Sequence, residues 1–167
     1  ISVVRDARAL AAVRPRFMHD PTEGGVATAL HEMAQAAGTT LRIDPDRLHV
    51  FPETQAICGA LGLDPLGLLA SGALLAIVPA AAATAALTAW RDAGIEGVAI
   101  GRIESGPPGV IIGANEPGEP LPAFARDELA RFFDLHEPRL LAKLVNRQLR
   151  NDRPQPAAQT SATRIIR

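Results

Sequence analysis

The residues best suited to chemistry stand close together near the start of the chain, in the run His19-Asp20-Pro21-Thr22-Glu23-Gly24-Gly25. A carboxylate, a proline and a second carboxylate at this spacing form a helix-start signal. Asp20 is the expected N-cap, Pro21 takes the first helical position, and Glu23 is placed to reach back as in a capping box. Gly24 and Gly25 then fall inside the expected first turn, where each costs roughly 0.8–1 kcal/mol relative to alanine. Two readings account for that cost. Either the glycines let another stretch of backbone pack closely, or they keep the first turn bare so that amide groups and the positive helix end reach an anion, most naturally a phosphate. His19, just before the cap, either meets a substrate or bonds to the helix start. Ser71-Gly72 is a further candidate at the entrance of the apolar run 73–78, where a glycine admits a ligand or a neighbouring strand, or else makes a plain tight turn.

The remaining patterns carry less. His31-Glu32-Met33-Ala34-Gln35 misses the HExxH zinc motif, because Gln35 replaces the second histidine. His31 and Glu32 therefore read as exposed residues on the polar face of a helix. His49 and His136 stand in no motif that pairs them with another residue in sequence. Cys58 follows apolar Ile57 on an expected helix and reads as a buried structural thiol, since no activating base or helix terminus stands near it in sequence. Asp44 and Asp46 flank Pro45 as an ordinary turn, and no metal site is assigned.

Composition bounds the partners. With 167 residues, 47% hydrophobic and 21% charged, the chain has the size and apolar content of one globular domain with a real core. A formal net charge of −1 provides no basic footprint for nucleic acid or an acidic membrane surface. One cysteine excludes an internal disulfide framework, and no secretory signal stands at the N-terminus, so the reducing cytoplasm is the expected compartment. The apolar run 66–87 contains Ser71-Gly72 and Pro79, which fits a strand followed by an alanine-rich helix better than a membrane span.

The elements that must position these residues follow from periodicity and breakers. Val3, Ala7, Leu10 and Val13 line one side of an opening helix, and Val26, Leu30, Met33 and Ala37 form the expected buried stripe of the helix that ends at Gly38. Leu41 and Ile43 alternate with polar neighbours in a short strand, and residues 48–51 form a second extended piece. A helix opens at Pro52-Glu53 and closes at Gly62, Asp64-Pro65 repeats the start signal, residues 73–78 read as a buried strand, and a helix from Ala80 stops at Gly94. Residues 97–104 and 109–114 read as two strands of a hairpin joined by Ser105-Gly106-Pro107-Pro108-Gly109. Helices are expected over "ARDELARFF" and from 138 to 150, followed by a polar, breaker-rich tail. Helices interleaved with short strands indicate a mixed sheet with helices packed on it, an α/β or α+β layered domain.

The runs "MHDPTEGGVATALHEMAQAAG", "PETQAICGALGLDPLGLLASGALLAIVP", "IGRI" and "FARDELARFF" occur in this order. Together they resemble the C-terminal domain of the AIR synthase-related superfamily, which includes PurM, HypE, selenophosphate synthetase and thiamine-monophosphate kinase, and they are most similar to HypE-like hydrogenase expression/formation proteins. The resemblance implies a PurM C-terminal domain-like fold over residues 1–135, a mixed β-sheet layered with helices (α/β/α), with a C-terminal helix and polar tail over 136–167. It further implies an N-terminal domain, missing from this chain, that dimerises and supplies most of the ATP and magnesium site. Asp20, Thr22, Gly24 and Gly25 then face the cleft between the two domains, with His19, Ser71 and Gly72 as weaker candidates.

The chemistry implied is activation of an acceptor by phosphoryl transfer from ATP, and the implied partners are the chain's own N-terminal domain, a second copy of the full-length protein and hydrogenase maturation proteins. Two departures from the HypE pattern stand out. The chain ends Ser161-Ala162-Thr163-Arg164-Ile165-Ile166-Arg167, without the terminal cysteine that carries the carboxamide in HypE-like enzymes, and Glu23 stands where such sequences have arginine. The alternative is a non-catalytic ligand-binding or assembly scaffold with the same fold.

Overall fold

The computed structural model describes residues 2–115 and 117–136. The chain divides into two compact units, Ile1–Phe132 and Phe133–Arg167; of the second, residues 133–136 are described and are helical. The helix expected over 138–150 and the tail lie outside the described residues.

The first unit opens with α1 (Val4–Ala9) and a 3-10 turn (Ala11–Val13), and Leu10 between them is fully buried. A three-residue strand, β1 (Phe17–His19), precedes the glycine loop and pairs antiparallel with β3 (Leu75–Ile77), Phe17 opposite Ile77 and His19 opposite Leu75. β3 is shorter than the buried strand expected over 73–78 and is half-buried, with β1 as its ladder partner among the described residues.

Helix α2 spans Gly25–Ala37 with Gly24 as its N-cap. Asp20 is therefore not the cap, and Pro21 and Glu23 precede the helix. The reason lies in the backbone: Gly24 and Gly25 take φ of 75° and 65°, a left-handed reversal that ends the extended run from β1 before the helix begins. The later start also moves the buried stripe. Ala27, Leu30, Met33 and Ala34 face the core, while Val26 is half-buried and Ala37 is exposed.

β2 (Thr40–Ile43) forms the middle of a mixed four-stranded sheet of order β4-β2-β5-β6, with β4 at Gly101–Glu104, β5 at Gly109–Ile112 and β6 at Glu119–Pro120. All four β2 residues are buried, so the simple in-and-out alternation expected there does not hold. β4 and β5 do not form the expected hairpin. β2 lies between them, antiparallel to β4 and parallel to β5, and the Ser105–Pro108 connection crosses the end of β2. The hydroxyls of Thr39 and Thr40 donate to the carbonyls of Glu104 and Pro107 at 2.7 and 2.8 Å and hold that crossing. A gap of two strand spacings, about 9–10 Å, is more than a tight two-residue turn spans.

The other elements follow the breakers. α3 (Pro52–Leu61) ends at Gly62 with φ of 66°, α4 (Ala83–Asp92) is followed by Gly94 with φ of 69°, and Asp64 caps a 3-10 turn (Pro65–Gly67) by accepting from the Leu66 amide at 2.9 Å. Residues 48–51 form no strand; the chain leaves the 3-10 turn Pro45–Arg47 and runs directly into α3. The core joins the inner face of α2 to Leu41, Ile43, Val110 and Leu121. On the rim, the Trp90 indole of α4 donates to the Asp6 carbonyl of α1 at 3.0 Å.

Candidate functional site

Two loops meet at the start of α2. The Thr22 carbonyl accepts from the Gly25 amide at 3.1 Å and from the Ala70 amide at 3.3 Å, which ties the glycine loop to the segment ahead of β3. The β1–β3 register runs toward the same place, so Asp20 and Thr22 share a surface with Ser71 and Gly72. Asp20, Thr22, Glu23, Ser71 and Gly72 are all exposed, whereas Pro21, Gly24 and Gly25 are buried beneath them. Gly72, with φ of 100°, turns the chain between Ala70 and Ala73, whose amide donates back to the Ala70 carbonyl at 3.1 Å. The fold thus brings the exposed residues Asp20, Thr22, Ser71 and Gly72 onto two adjoining loops, with Gly24 and Gly25 buried.

The two glycines have different reasons. A side chain at Gly25 would run into the carbonyl oxygens of Leu66 and Leu68, which are fixed backbone. A side chain at Gly24 would first meet Thr28, one turn further along α2. Close backbone packing is thereby realised at Gly25. The amides at this helix start are also engaged: Gly24 donates to Oδ2 of Asp127 at 3.0 Å and Gly25 to the Thr22 carbonyl. Oxygens of the chain itself therefore occupy these two donors.

His19 does not bond to the helix start. Its Nε2 lies 2.6 Å from Oε2 of Glu32 on α2, so the ring donates to that carboxylate, while Nδ1 is buried. His31 is half-buried rather than exposed, and its Nε2 donates to the Leu121 carbonyl at 3.1 Å. Cys58 is buried as expected, and burial together with the nearby carboxylates of Asp64 and Glu128 pushes its thiol pKa up, away from nucleophilic use. No cluster of three His, Cys, Asp or Glu able to hold a metal occurs among the described residues, and none of their helices is long and apolar enough to cross a membrane.

Two groups escaped the sequence reading. Asp127 serves both the glycine loop and the Leu129 amide, the latter at 2.9 Å. Its position just ahead of the helical residues 128–136 marks it as a cap, but nothing in the sequence pairs it with Gly24. Arg42, read as the polar side of a strand, is 2% exposed. Its Nε donates to Glu104 at 2.7 Å and its Nη1 to the carbonyls of Gly113 and Asn115 at 3.4 and 3.3 Å. That hydrogen bond, reinforced by the charges of Arg42 and Arg102, outweighs desolvation and holds the Glu104 carboxyl below the usual range.

Comparison with known proteins gives this arrangement a setting. A segment of 76 residues is 49% identical to the carbamoyl dehydratase HypE of Rhodobacter capsulatus, covering 46% of this chain and 22% of that protein. The crystal structure of E. coli HypE, a hydrogenase maturation protein, superimposes with a TM-score of 0.69 at 28% identity over 78% of this chain and 42% of that one. A HypE solved in complex with ATP superimposes with a TM-score of 0.63 at 27% identity over 72% of this chain and 40% of that one. The chain thus spans less than half the length of these relatives. Residues 2–113 match the family described as "AIR synthase related protein, C-terminal domain", and the chain belongs to that family.

Proposed function

We propose that this chain is the C-terminal domain of an ATP-dependent, HypE-like enzyme that activates an acceptor by phosphoryl transfer. Under this reading an N-terminal domain holds most of the ATP and its magnesium, and the loops carrying Asp20, Thr22, Ser71 and Gly72, set on the buried Gly24 and Gly25, face the reacting phosphate or the acceptor. ATP supplies the phosphoryl group. The chain's part is to position: the backbone tie between Thr22 and Ala70 holds the two loops in register, and the exposed hydroxyls of Thr22 and Ser71 offer donors to phosphoryl or acceptor oxygens. The convergence of the two loops is the observation that carries the reading, and the likeness to a HypE solved with ATP supports it. The likeness to HypE, a hydrogenase maturation protein, supports a role in hydrogenase maturation, and assembly of the full-length protein as a homodimer is a further part of the proposal.

One observation favours the second reading, a non-catalytic ligand-binding or assembly scaffold. The Gly24 amide at the helix start is already occupied by Asp127, and Asp20 and Glu23 add negative charge beside it.

Calorimetric titration of a non-hydrolysable ATP analogue with magnesium separates the two readings. It is run on this chain and on a full-length protein carrying both domains. The enzyme reading expects binding by the full-length protein and little by the chain alone; no binding by either leaves the scaffold.

A further inference from the structure

The family match ends at residue 113, yet the glycine loop is held by residues beyond it. Asp127 uses both carboxylate oxygens on backbone amides of two helix starts, Oδ2 on Gly24 and Oδ1 on Leu129. The next residue, Glu128, is 5% exposed and accepts from the Asp64 amide at 3.0 Å, at the head of the 3-10 turn Pro65–Gly67. Arg131 grips Glu128 with Nε at 2.6 Å and Nη2 at 2.7 Å, and the same Nη2 reaches the Gly62 carbonyl at 3.1 Å. Gly67 packs so tightly on Phe124 and Glu128 that a side chain there would overlap both. The turn held in this way supplies the Leu66 and Leu68 carbonyls against which Gly25 rests.

From these contacts we infer that residues 124–131, outside the family-matched segment, form a latch on the candidate site, with Asp127 as a positioning residue for the glycine loop. The latch acts from both sides. Asp127 draws Gly24 toward the start of the 128–136 helix, while Glu128 and Arg131 hold the 62–68 backbone that Gly25 needs as its floor. Gly24 is buried, so losing the Asp127 acceptor leaves its amide without a protein partner, and the loop must open toward water to satisfy it. The part of this inference that concerns ligand affinity rests on the function proposed above.

The test compares Asp127→Ala with Asp127→Ser in the full chain. Serine has a single oxygen, enough to cap the Leu129 amide, but it is too short to reach Gly24 as well. Amide hydrogen exchange by NMR is expected to quicken at least tenfold at Gly24 in both variants and at Leu129 only in the alanine variant. Unchanged exchange at Gly24 in both overturns the latch, as does recovery of wild-type protection at Gly24 in the serine variant. Arg131→Met serves as an independent variant and is expected to raise exchange at the Asp64 amide. Affinity for the magnesium-bound ATP analogue in the full-length protein is expected to fall about tenfold in both Asp127 variants, and equal affinities overturn the positioning role. If the wild-type full-length protein binds no nucleotide, the proposed function falls and the exchange data alone decide the latch.

Discussion

At Gly25 the chain is positioned by the lack of a side chain, whereas at Arg42 it is positioned by the largest completely buried side chain among the described residues. The first is a backbone device: a left-handed residue pressed on two carbonyls, tolerant of no atom beyond Cα. The second is a polar device: a guanidinium in the central strand that hydrogen-bonds β4 through Glu104 and the loop after β5 through the carbonyls of Gly113 and Asn115. Its opposite charge and its acceptors are both supplied within the fold, which is what makes a buried arginine tolerable. The first device lies at the start of α2 beside the two-stranded β1–β3 sheet, and the second lies in the middle of the four-stranded sheet.

The largest expected effect comes from the loop. Gly25→Ala forces a non-glycine residue to positive φ, about 1–2 kcal/mol, and adds overlap with fixed carbonyls, so a total loss of about 3 kcal/mol or more is expected. Gly24→Ala carries the same conformational term of about 1–2 kcal/mol, and its added carbon meets Oγ1 and Cβ of Thr28, so turning the threonine relieves only part of the overlap; the loss is expected to exceed that term yet stay below that of Gly25→Ala, whose neighbours are main-chain oxygens. Thermal denaturation of the pair checks the difference; equal losses remove the distinction between floor and cap.

An intermediate effect is expected at the cluster. Arg42→Met leaves the Glu104 carboxylate to Arg102 and takes the Arg42 donor from two carbonyls, and should lower the Tm by several degrees. Arg102→Met, at a residue 57% exposed that shares the same carboxylate, should change it little. If the two losses match, Arg42 is no more than a surface ion pair in effect.

The smallest effect is in pH. Glu104 and Glu128 are both held below the ordinary carboxylate range of about 4.3, chiefly by hydrogen bonds from Arg42 and Arg131 respectively. In the acid range the unfolded chain binds these protons first, so stability falls as pH drops below the ordinary range toward the lowered folded values, and it is flat in this respect above it. Glu128→Gln should lower stability near neutrality and shallow the acid slope; an unchanged slope in urea titrations from pH 6 to 3 would exclude Glu128 as a contributor.

Several features were legible beforehand because they depend on local chemistry. Gly62 and Gly94 stop helices through φ values that other residues resist, Asp64-Pro65 caps a turn through its own side chain, and Cys58 is buried. The ordered motifs also carried the family and the mixed α/β fold, both of which the comparisons bear out. The same local reasoning misread Asp20-Pro21-Thr22-Glu23, since a complete start signal was followed by a left-handed reversal that moved the helix to Gly25.

The sequence by itself determined several helix ends and turns, at Gly38, Gly62, Asp64-Pro65 and Gly94, because torsional preference and side-chain capping act over a few residues. Only the tertiary structure decided that β2 inserts between β4 and β5, that Arg42 is buried, that His19 turns to Glu32, and that Asp127 closes on Gly24 across 103 positions. Each of these is a pairing between distant residues whose benefit appears only once both partners have been placed and water has been removed from between them.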